Sequence, residues 1–373
     1  MTALDMLTVP WPTDDVGPRS VTLLRLPAGC LGIVVVDDVR LGTAIGGVRL
    51  GSSVTPIEVM RLARAMTLKN AAAGLPHGGG KAGIRTPQDW DPTNREAVIR
   101  AFAVAIRHLD EYVPGPDMGT DETAMAWIQD EIGRAVGLPA VLGGIPLDEL
   151  GATGFGLGVC AKALADAGRV QLSGARVAIQ GFGAVGRHAA VALRKHGAVV
   201  VATCDTSGGV YDPDGLDVDE LVEFDRKQPL VYYGNAKPID RDDVLTTDCD
   251  ILVPAAQPDV LHEDNVDKVR ASVILPGANI PATAAAEASL HARGVLLVPD
   301  FVANAGGVIC AAVELAGGSR ARAFADIEEK IRANTLELLD RTASTGLPPR
   351  AAAEAMAAAR LASADAFRRR FWA

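Results

Sequence analysis

Two lysines in this chain have a setting that suits acid–base chemistry. Lys69 and Lys81 lie on either side of an alanine-rich segment and the glycines 78–80, within the stretch MTLKNAAAGLPHGGGKAGI at residues 66–84. A lysine directly after a glycine run can approach a small ligand closely, because no neighbouring side chain crowds it. If the place is also dry, the amine loses its proton more readily and can act as a general base. Taken alone, the same pattern also fits a solvated lysine after a flexible loop.

Asp117 is a third candidate for proton transfer. It lies between Pro116 and Met118 at a predicted strand end, before a helix that Thr120 can cap. Taken alone, an aspartate in this place favours a turn or a cap. A chemical role for Asp117 therefore requires that it lie close to the two lysines in the folded protein.

The elements before Lys69 predict how it is positioned. Two β-rich runs, at residues 21–26 and 31–36, predict a hairpin, and residues 41–50 predict a glycine-interrupted strand. A helix is predicted to begin at Thr55, with Pro56 in its first turn and Glu58 completing a capping box.

The same helix predicts that the two lysines share a pocket. It ends at Gly74 and so carries Lys69 in its last turn. The glycine turn that follows would return Lys81 at the start of a short strand, KAGI. We therefore expect both cations to converge on one small ligand.

Residues 176–205 have the strand, glycine loop, helix and strand order of a dinucleotide site. The glycines of GFGAVG permit a tight turn, close approach to a pyrophosphate and packing of helix on strand, and the helix N-terminus stabilises the phosphate charge. Asp205 ends the second strand and can accept hydrogen bonds from both ribose hydroxyls, while its charge would repel a 2′-phosphate. The prediction is NAD rather than NADP. The expected cofactor contacts here are Gln180, Gly181, Phe182, Gly183, Ala184, Val185, Gly186 and Asp205.

The predicted fold is α/β with two domains and a cleft between them. A Pro/Gly-rich connection at residues 139–152 marks the boundary, so residues 1–143 form a catalytic, substrate-binding and oligomerisation domain. Residues 144–344 form a Rossmann-type, doubly wound NAD-binding domain, and the C-terminal helix at 345–373 packs back on the first domain.

Polar loops are predicted at the strand ends of the second domain. Further strands are expected near residues 251–253, 273–275 and 295–298. The loops after them lie where doubly wound sheets bind ligands. Asn279 and Asn304 offer donors and acceptors there, although either could equally cap its own loop.

Composition excludes several classes of protein. The net charge is -10, which gives no footprint for nucleic acid or an anionic membrane surface. From the apolar runs and the N-terminal composition we expect neither a bilayer-spanning helix nor a signal peptide. Five cysteines without CxxC spacing fit a reducing cytoplasm and predict no metal site. The first dozen residues are expected to be a terminal arm, and the arginines at 368–370 the cationic end of a terminal helix.

Seven blocks of sequence, in order, resemble the glutamate, leucine, phenylalanine and valine dehydrogenases over nearly the full length. They are GGVR (46–49), MTLKNAAAGLPHGGGKAGI (66–84), GPDMGTDE (115–122), GATGFG (151–156), GFGAVG (181–186), GAN (277–279) and NAGGV (304–308). The resemblance implies a cytoplasmic homo-oligomer that passes hydride from an amino acid to NAD. Water then attacks the iminium and ammonia departs, or the reaction runs in reverse.

The resemblance also implies a role for each matching residue. Lys81 would activate water, and Asp117 would carry protons to and from the substrate nitrogen. Lys69 would pair with the substrate α-carboxylate, helped by the backbone of Gly46 and Gly47. The positions implied near the nicotinamide and the adenosine ribose are Thr153, Asn279, Ala255 and Ala256.

Two positions predict a hydrophobic substrate. The glutamate branch has a lysine directly before the paired glycines and a serine three residues after the valine of NAGGV; this chain has Ile45 and Ala311. A glutamate side chain there would be a desolvated, unpaired anion, whereas an apolar one would meet Ile45, Val308 and Ala311. Gly115 is small and leaves room, so the substrate is expected to resemble leucine, valine or phenylalanine. An aromatic or unusual amino acid of a specialised pathway stays open, since GGIPLDELGATG looks more like the glutamate branch.

Two other functions are alternatives. A hydroxy-acid dehydrogenase would need a histidine base with a supporting carboxylate, and His77 is the nearest histidine to the glycine run. A catalytically silent NAD-binding regulatory protein would not need both lysines and Asp117. We expect neither.

Overall fold

A computed structural model describes residues 17–147, 149–224, 227–234 and 236–367. The predicted α/β class is confirmed, and the chain forms two compact units. Among the described residues, the first unit comprises 17–146, 311–323 and 356–367, and the second comprises 147–310 and 324–355. The predicted terminal arm and the arginine cluster at 368–370 lie outside the described residues.

This division differs from the predicted boundaries in giving residues 311–323 to the first unit and in giving residues 345–355, the beginning of the predicted C-terminal segment, to the second. Glu314 explains the first assignment, because its two carboxylate oxygens accept hydrogen bonds from the N–H groups of Leu138, at 3.0 Å, and Ile145, at 2.9 Å. Burial raises the pKa of Glu314, although these backbone donors oppose the shift. The segment is therefore held to residues 137–145 by a half-buried carboxylate.

The first unit has a five-stranded mixed sheet. Its strands are β1 (Ser20–Arg25), β2 (Leu31–Asp38), β3 (Ala44–Gly51), β4 (Gly78–Arg85) and β5 (Tyr112–Pro116), in the order β1-β2-β4-β3-β5. The pair β1 and β2 is antiparallel, as the predicted hairpin requires, and β3 is parallel to both β4 and β5. The strand β3 is therefore central among β4, β3 and β5, and all three run in one direction.

The helices of the first unit cover this sheet. They are α1 (Pro56–Ala72), α2 (Arg95–Ala105) and α3 (Glu122–Ile132). As predicted, the Thr55 hydroxyl caps α1 by accepting the Glu58 N–H at 3.2 Å, and Gly74 follows the helix end with a φ of +63°. Fully buried Phe102, Tyr112 and Met125 belong to the core under the sheet.

Glycines 78–80 belong to β4, so the expectation that they form a turn was wrong. A Cβ on Gly79 would lie 2.1 Å from the Thr67 backbone nitrogen, and one on Gly80 would lie 2.9 Å from the Tyr112 ring. These glycines let α1 and Tyr112 pack directly on the strand. Lys81 is consequently in the middle of β4, opposite Val35 of β2.

The second unit has a seven-stranded sheet. Its strands are β6 (Arg176–Gln180), β7 (Val199–Asp205), β8 (Gly208–Tyr211), β9 (Lys237–Ile239), β10 (Ile251–Pro254), β11 (Val273–Ile274) and β12 (Leu296–Leu297). Their order is β12-β11-β10-β6-β7-β8-β9. The first five are mutually parallel, β8 is antiparallel to β7, and β9 is antiparallel to β8. The chain order reverses where β10 meets β6, and ligands bind at such a switch point.

Helices precede and follow these strands. They are α4 (Ala152–Asp166), α5 (Ala184–Arg194), α6 (Val218–Glu223), α7 (Ala284–Ala292), α8 (Asp300–Ala303), α9 (Gly306–Leu315), α10 (Arg320–Thr345) and α11 (Pro349–Asp365). Among the described residues, no helix is long and apolar enough to cross a membrane.

Candidate functional site

Lys81 and Asp117 form a buried ion pair in the first unit. Lys81 Nζ lies 2.7 Å from Asp117 Oδ2, and the two side chains are only 7% and 15% exposed. The pair forms because β4 and β5 flank β3, and Asp117 directly follows β5. The sequence named both residues but did not predict that they would touch.

Arg49, which the sequence analysis left without a role, is a second cation on Asp117. Its Nε and Nη2 donate to the two carboxylate oxygens at 3.2 Å and 3.5 Å, and its Nη1 donates to Glu58 at 2.5 Å. Glu58 therefore uses its carboxylate on Arg49, and the expected capping box is only half formed. The motif GGVR was the available signal, but Asp117, the partner of its arginine at the candidate site, is 68 residues away in sequence.

These charges decide the ionisation of Asp117. Burial by itself would raise the pKa of this carboxyl group. The positive charges of Lys81 and Arg49, the hydrogen bond from Lys81 and the Met118 N–H together outweigh burial, so the pKa of Asp117 is lowered. The resting site holds an ionised carboxylate between two cations.

The segment after Asp117 is fixed differently from the sequence expectation. Thr120 does not cap the following helix; Asp121 does, accepting the Ala124 N–H at 2.9 Å. The Thr120 hydroxyl instead accepts the Asp117 N–H at 2.9 Å and contacts the Val48 carbonyl at 2.8 Å. Thr120 thereby ties the Asp117 backbone to β3.

Lys69 is buried in the last turn of α1, with 8% of its surface exposed. The neighbouring Asn70 donates through Nδ2 to the Gly78 carbonyl at 2.6 Å, which joins this helix end to the strand that carries Lys81. Asn70 Oδ1 is buried and has no hydrogen-bond partner among the described residues. Convergence of Lys69 and Lys81 on one ligand stays a prediction.

Paired Gly46 and Gly47 bring the backbone of β3 up to the ion pair. A Cβ on Gly47 would lie 2.7 Å from Asp117 Cβ and 3.2 Å from Lys81 Nζ. The phenol of Tyr112, which sequence analysis missed, donates to the Gly46 carbonyl at 2.7 Å. Burial raises the pKa of Tyr112 well above its usual range, and the Asp117 charge adds to the shift. Tyr112 therefore stays a donor and holds this peptide in place.

The positions expected to meet the substrate side chain are apolar and enclosed. Ile45 is 3% exposed in β3, and Ala311 is 5% exposed in α9. A Cβ on Gly115 would lie 3.2 Å from Val136 Cγ2, so the space beside this glycine is bounded by an apolar side chain. Val308 is half-buried in α9 and belongs to the second unit.

His77, the nearest alternative base, is a poor one. Burial lowers the pKa of its imidazole, although a hydrogen bond with the Thr43 backbone opposes the shift. His77 Nδ1 is buried and has no partner among the described residues. Within the part of the chain that the structure describes, no carboxylate is paired with this ring, although a hydroxy-acid dehydrogenase would need one.

In the second unit, the glycine motif has the geometry that phosphate binding requires. Gly181 has a φ of +99°, and a Cβ on it would lie 2.7 Å from Ala256 Cβ. A Cβ on Gly186 would lie 2.0 Å from the Gly181 carbonyl oxygen, so α5 packs tightly on the turn. Gly183 caps α5 and faces open space, where its backbone is accessible. The N-terminus of α5 is thus open to a phosphate group.

A cavity of about 390 Å³ lies beside this turn. Gln180 lines it and carries a buried Oε1 without a partner among the described residues. Asp205 lines it from the end of β7, and its Oδ1 accepts from Ser207 N at 2.7 Å and Ser207 Oγ at 2.6 Å. The cavity walls are Gln180, Gly181, Phe182, Gly183, Arg187, Cys204, Asp205, Thr206, Arg241, Ala255, Ala256 and Gln257. An orphaned amide oxygen, an open helix N-terminus and a carboxylate together fit a dinucleotide. Ala184 and Val185, by contrast, open helix α5 and are not among the walls.

The loop that carries Asn279 is held by two side chains. Asn304 Nδ2 lies 3.1 Å from the Ala278 carbonyl and 3.3 Å from Asn279 Oδ1. Asp300 accepts the Ile280 N–H at 2.9 Å and is itself paired with Arg350 at 2.7 Å. Asn304 thus supports the loop that carries Asn279, and a contact between Asn304 and a ligand stays a prediction.

Thr153 lies in the first turn of α4, as predicted. A Cβ on Gly307 would lie 3.2 Å from Thr153 Oγ1, so this hydroxyl sits close to the backbone that follows Asn304. Thr153 and Asn304 therefore border the same segment of the second unit.

Known proteins resemble this chain over both units. Residues 143–369 match the family described as Glutamate/Leucine/Phenylalanine/Valine dehydrogenase, and residues 27–134 match its dimerisation domain. A glutamate dehydrogenase of Aeropyrum pernix is 40% identical over 288 residues, covering 74% of this chain and 69% of the relative. An NADP-specific glutamate dehydrogenase of Saccharolobus shibatae is 38% identical over 304 residues, covering 78% and 72%.

Solved structures give the same result for the fold. The hetero-hexameric glutamate dehydrogenase from Thermus thermophilus, in its leucine-bound form, has a TM-score of 0.87 at 31% identity, covering 95% of this chain and 91% of that one. The L-tryptophan dehydrogenase from Nostoc punctiforme has a TM-score of 0.71 at 24% identity, covering 93% and 97%, which is a likeness of fold.

Proposed function

We propose, because this chain is an amino-acid dehydrogenase of the glutamate/leucine/phenylalanine/valine dehydrogenase family, that it oxidatively deaminates a hydrophobic L-amino acid and catalyses the reverse amination. The observation that carries the proposal is the buried pair of Lys81 and Asp117, 2.7 Å apart, with Arg49 as a further cation. A nicotinamide dinucleotide supplies the hydride acceptor. The proton transfers must come from the protein.

Lys81 and Asp117 divide the proton transfers between them. Deamination releases a proton from the substrate ammonium group, requires deprotonation of the attacking water and ends with protonation of the leaving amine. The Asp117 carboxylate takes and returns the proton on nitrogen. Lys81, which is a cation in the resting site, first gives up its own proton and then takes the proton of the attacking water. Their contact lets a proton pass between them without bulk water. Arg49 keeps Asp117 ionised and ready to accept.

Substrate binding uses the neighbouring backbone and Lys69. The α-carboxylate pairs with the ammonium group of Lys69, and the backbone of Gly46 and Gly47 supports it. Tyr112 fixes that backbone through the Gly46 carbonyl. A fixed anchor on the carboxylate orients the α-carbon and so lowers the entropic cost of reaction.

The side-chain preference follows from Ile45 and Ala311. Both are nearly fully buried and apolar, so they offer no partner for a second carboxylate. Burying an unpaired carboxylate is prohibitive, whereas a leucine-, valine- or phenylalanine-like side chain gains from the apolar wall. An aromatic or unusual amino acid is the alternative that the absence of a side chain at Gly115 favours, within the limit that the neighbouring Val136 sets.

Glutamate is the second candidate, because the relatives from Aeropyrum pernix and Saccharolobus shibatae are named glutamate dehydrogenases. It requires a cation near the side-chain end of the substrate that residues 45 and 311 do not supply.

The proposed cofactor is NAD, held through the turn from Gly181 to Gly186 and through Asp205. Asp205 Oδ1 accepts two hydrogen bonds from Ser207, and Asp205 lines a cavity where ribose hydroxyls can donate to its carboxylate. Thr153, Asn279, Ala255 and Ala256 are proposed to contact the cofactor, with Ala255 and Ala256 lining that cavity. Asn279 is also proposed to reach the substrate.

We further propose a homo-oligomer, supported by the match of residues 27–134 to a dimerisation domain. Light scattering of the purified chain measures its molar mass in solution and hence the number of subunits. A monomer at micromolar concentration would refute it.

A substrate panel tests the proposed reaction. Leucine, valine, phenylalanine, tryptophan and glutamate are each incubated with NAD at alkaline pH, and NADH absorbance is followed. The expected result is turnover of at least one hydrophobic amino acid with a higher kcat/KM than glutamate. Glutamate as the best substrate would overturn the side-chain assignment alone. No turnover of any amino acid by a protein that still binds NAD would overturn the reaction itself.

A further inference from the structure

We propose that Glu314 is a positioning residue that sets the width of the substrate side-chain pocket, and with it the preference of the enzyme among apolar amino acids. The inference rests on the proposed function and deepens it, because the pocket is the one expected beside Gly115 and Ala311. Glu314 acts through the two segments that it joins, α9 and residues 136–145.

The end of α9 forms one side of this pocket. Ala311 is buried in that helix, and Glu314 follows it by three positions, so both side chains lie on one side of the helix. Gly317, with a φ of +72°, follows the helix end, and its N–H donates to the Glu314 carbonyl at 2.8 Å. The main chain that carries the carboxylate is therefore fixed relative to Ala311.

The segment after α3 forms the opposite side. Val136 is buried, and its N–H donates to the Pro114 carbonyl of β5 at 2.9 Å. A Cβ on Gly115 would lie 3.2 Å from Val136 Cγ2, so Val136 bounds the space beside that glycine. Leu138, two positions further on, donates its N–H to Glu314 Oε1 at 3.0 Å. A movement of the Leu138 backbone is therefore passed to Val136 through one intervening residue.

The same carboxylate holds the far end of the loop. Its second oxygen, Oε2, accepts the Ile145 N–H at 2.9 Å. Between the two contacts the chain folds tightly on itself, because the Gly144 N–H donates to the Pro139 carbonyl at 3.2 Å. A Cβ on Gly144 would lie 2.1 Å from the Leu138 carbonyl oxygen. One side chain thus joins both ends of a compact loop to α9, and all these residues belong to the first unit.

The place of Glu314 is unfavourable for a carboxylate without a role. It lies in the last turn of α9, where the helix dipole disfavours a negative charge. The side chain is also half-buried, and burial raises the pKa of its carboxyl group although backbone N–H groups oppose the shift. Hydrogen bonds to an ionised group are strong, so the contacts with Leu138 and Ile145 offset both effects. These two contacts therefore explain why a carboxylate is tolerated here.

Glu314→Gln tests the assignment with little change of shape. The amide oxygen can still accept one backbone N–H, but the amide nitrogen is a donor and cannot accept the second. One end of the loop is therefore released. Glu96→Gln is the matched control, because it makes the same change in the first unit at a carboxylate that is 53% exposed and paired with Arg100 in α2.

Two measurements follow the loop and the pocket separately. Hydrogen–deuterium exchange of peptides that cover residues 136–145 should become at least about tenfold faster in Glu314→Gln. The ratio of kcat/KM for phenylalanine to that for valine should rise at least about fivefold, because a retreating wall admits the larger side chain and loses contact with the smaller one. Binding of 5′-ADP should be unchanged, and Glu96→Gln should match the wild type throughout.

Val136→Ala enlarges the same wall directly. It should raise the ratio of phenylalanine to valine in the same direction as Glu314→Gln. Because Glu314 acts through Val136, the double variant should raise the ratio by less than the product of the two single effects. A full product, or no effect of Val136→Ala, would show that Glu314 does not act through this wall.

Other results would also overturn the proposal. Exchange at the wild-type rate in Glu314→Gln would show that Glu314 does not hold the loop. Faster exchange with an unchanged ratio of phenylalanine to valine would leave the proposed deamination intact and remove Glu314 from substrate choice, and an equal loss of kcat/KM for both would indicate a merely structural role. If the wild-type protein turns over no amino acid, the proposed function itself fails, and this inference fails with it.

Discussion

Gly47→Ala should damage catalysis by moving the ion pair without removing any functional group. Gly47 lies in β3 opposite Gly115 of β5. The added Cβ would lie 2.6 Å from the Pro116 carbonyl oxygen, 2.7 Å from Asp117 Cβ and 3.2 Å from Lys81 Nζ. The first two neighbours are backbone and a Cβ, so neither can turn away.

The required displacement follows from these contacts. Ordinary contact begins at 3.4 Å, so the first two distances are too short by about 0.8 Å and 0.7 Å. The end of β5, and with it Asp117, must therefore retreat from β3 by most of an ångström, which changes its position relative to Lys81. A misplacement of that size costs on the order of a hundredfold in rate, equivalent to roughly 2.7 kcal/mol in the barrier.

Gly51→Ala is the matched control, since it makes the same change in the same strand. A Cβ on Gly51 meets nothing within 4 Å. Steady-state kcat/KM with the best substrate of the panel should fall about a hundredfold in Gly47→Ala and stay within about twofold in Gly51→Ala. Binding of 5′-ADP should be equal in both variants, which separates a local effect from unfolding.

A Gly47→Ala enzyme that keeps more than about a third of the wild-type kcat/KM would refute the reasoning. The pair would then tolerate displacement, or the substrate would react elsewhere. Equal losses in both glycine variants would show that β3 is merely sensitive to substitution.

Three further variants address charge, specificity and stability. Arg49→Gln removes a positive charge that lowers the pKa of Asp117, so this pKa should rise. The acid limb of the kcat/KM profile, where activity is lost as pH falls, should therefore move to higher pH. An unchanged acid limb would show that Arg49 does not control the ionisation of Asp117. Ile45→Lys combined with Ala311→Ser should raise kcat/KM for glutamate relative to leucine by at least about tenfold, because it supplies partners for a second carboxylate; an unchanged ratio in a panel assay would place the side chain elsewhere. Arg350→Met should lower the free energy of unfolding by about 3 kcal/mol in urea titrations, because two buried carboxylates lose the guanidinium that lies 2.7 Å from each. Burial raises the pKa of one of them, Glu287, so the loss should shrink in mildly acidic buffer as Glu287 takes up a proton; a loss that is equally large there would contradict the ionic explanation.

Local pattern was sufficient wherever an element is determined by its own residues. The Thr55 cap, the hairpin of β1 and β2 and the strand, turn and helix around Gly181 all follow from neighbours a few positions apart. The resemblance to the dehydrogenase family, carried by seven motifs in the same order, added the expected roles of the site residues. The apolar chemistry of single positions, such as Ile45, is likewise a property of the residue type alone.

Contacts between distant positions could not be predicted in the same way. Arg49 and Asp117 are 68 residues apart, and their pairing depends on the order of β4, β3 and β5 in the sheet. The glycines before Lys81 were predicted to form a turn. Their actual role is to let α1 pack closely on β4, and this contact joins segments whose pairing the local sequence does not indicate.

The buried pair of Lys81 and Asp117 is tested most directly by the kcat of Asp117→Asn. The substitution keeps the shape of the side chain and removes only its charge and its capacity to take a proton. We predict that kcat falls between about a hundredfold and ten-thousandfold, while KM for the amino acid changes little because Lys69 still holds its α-carboxylate. A kcat within about threefold of the wild-type value, at every pH, would contradict a role for this carboxylate in moving protons.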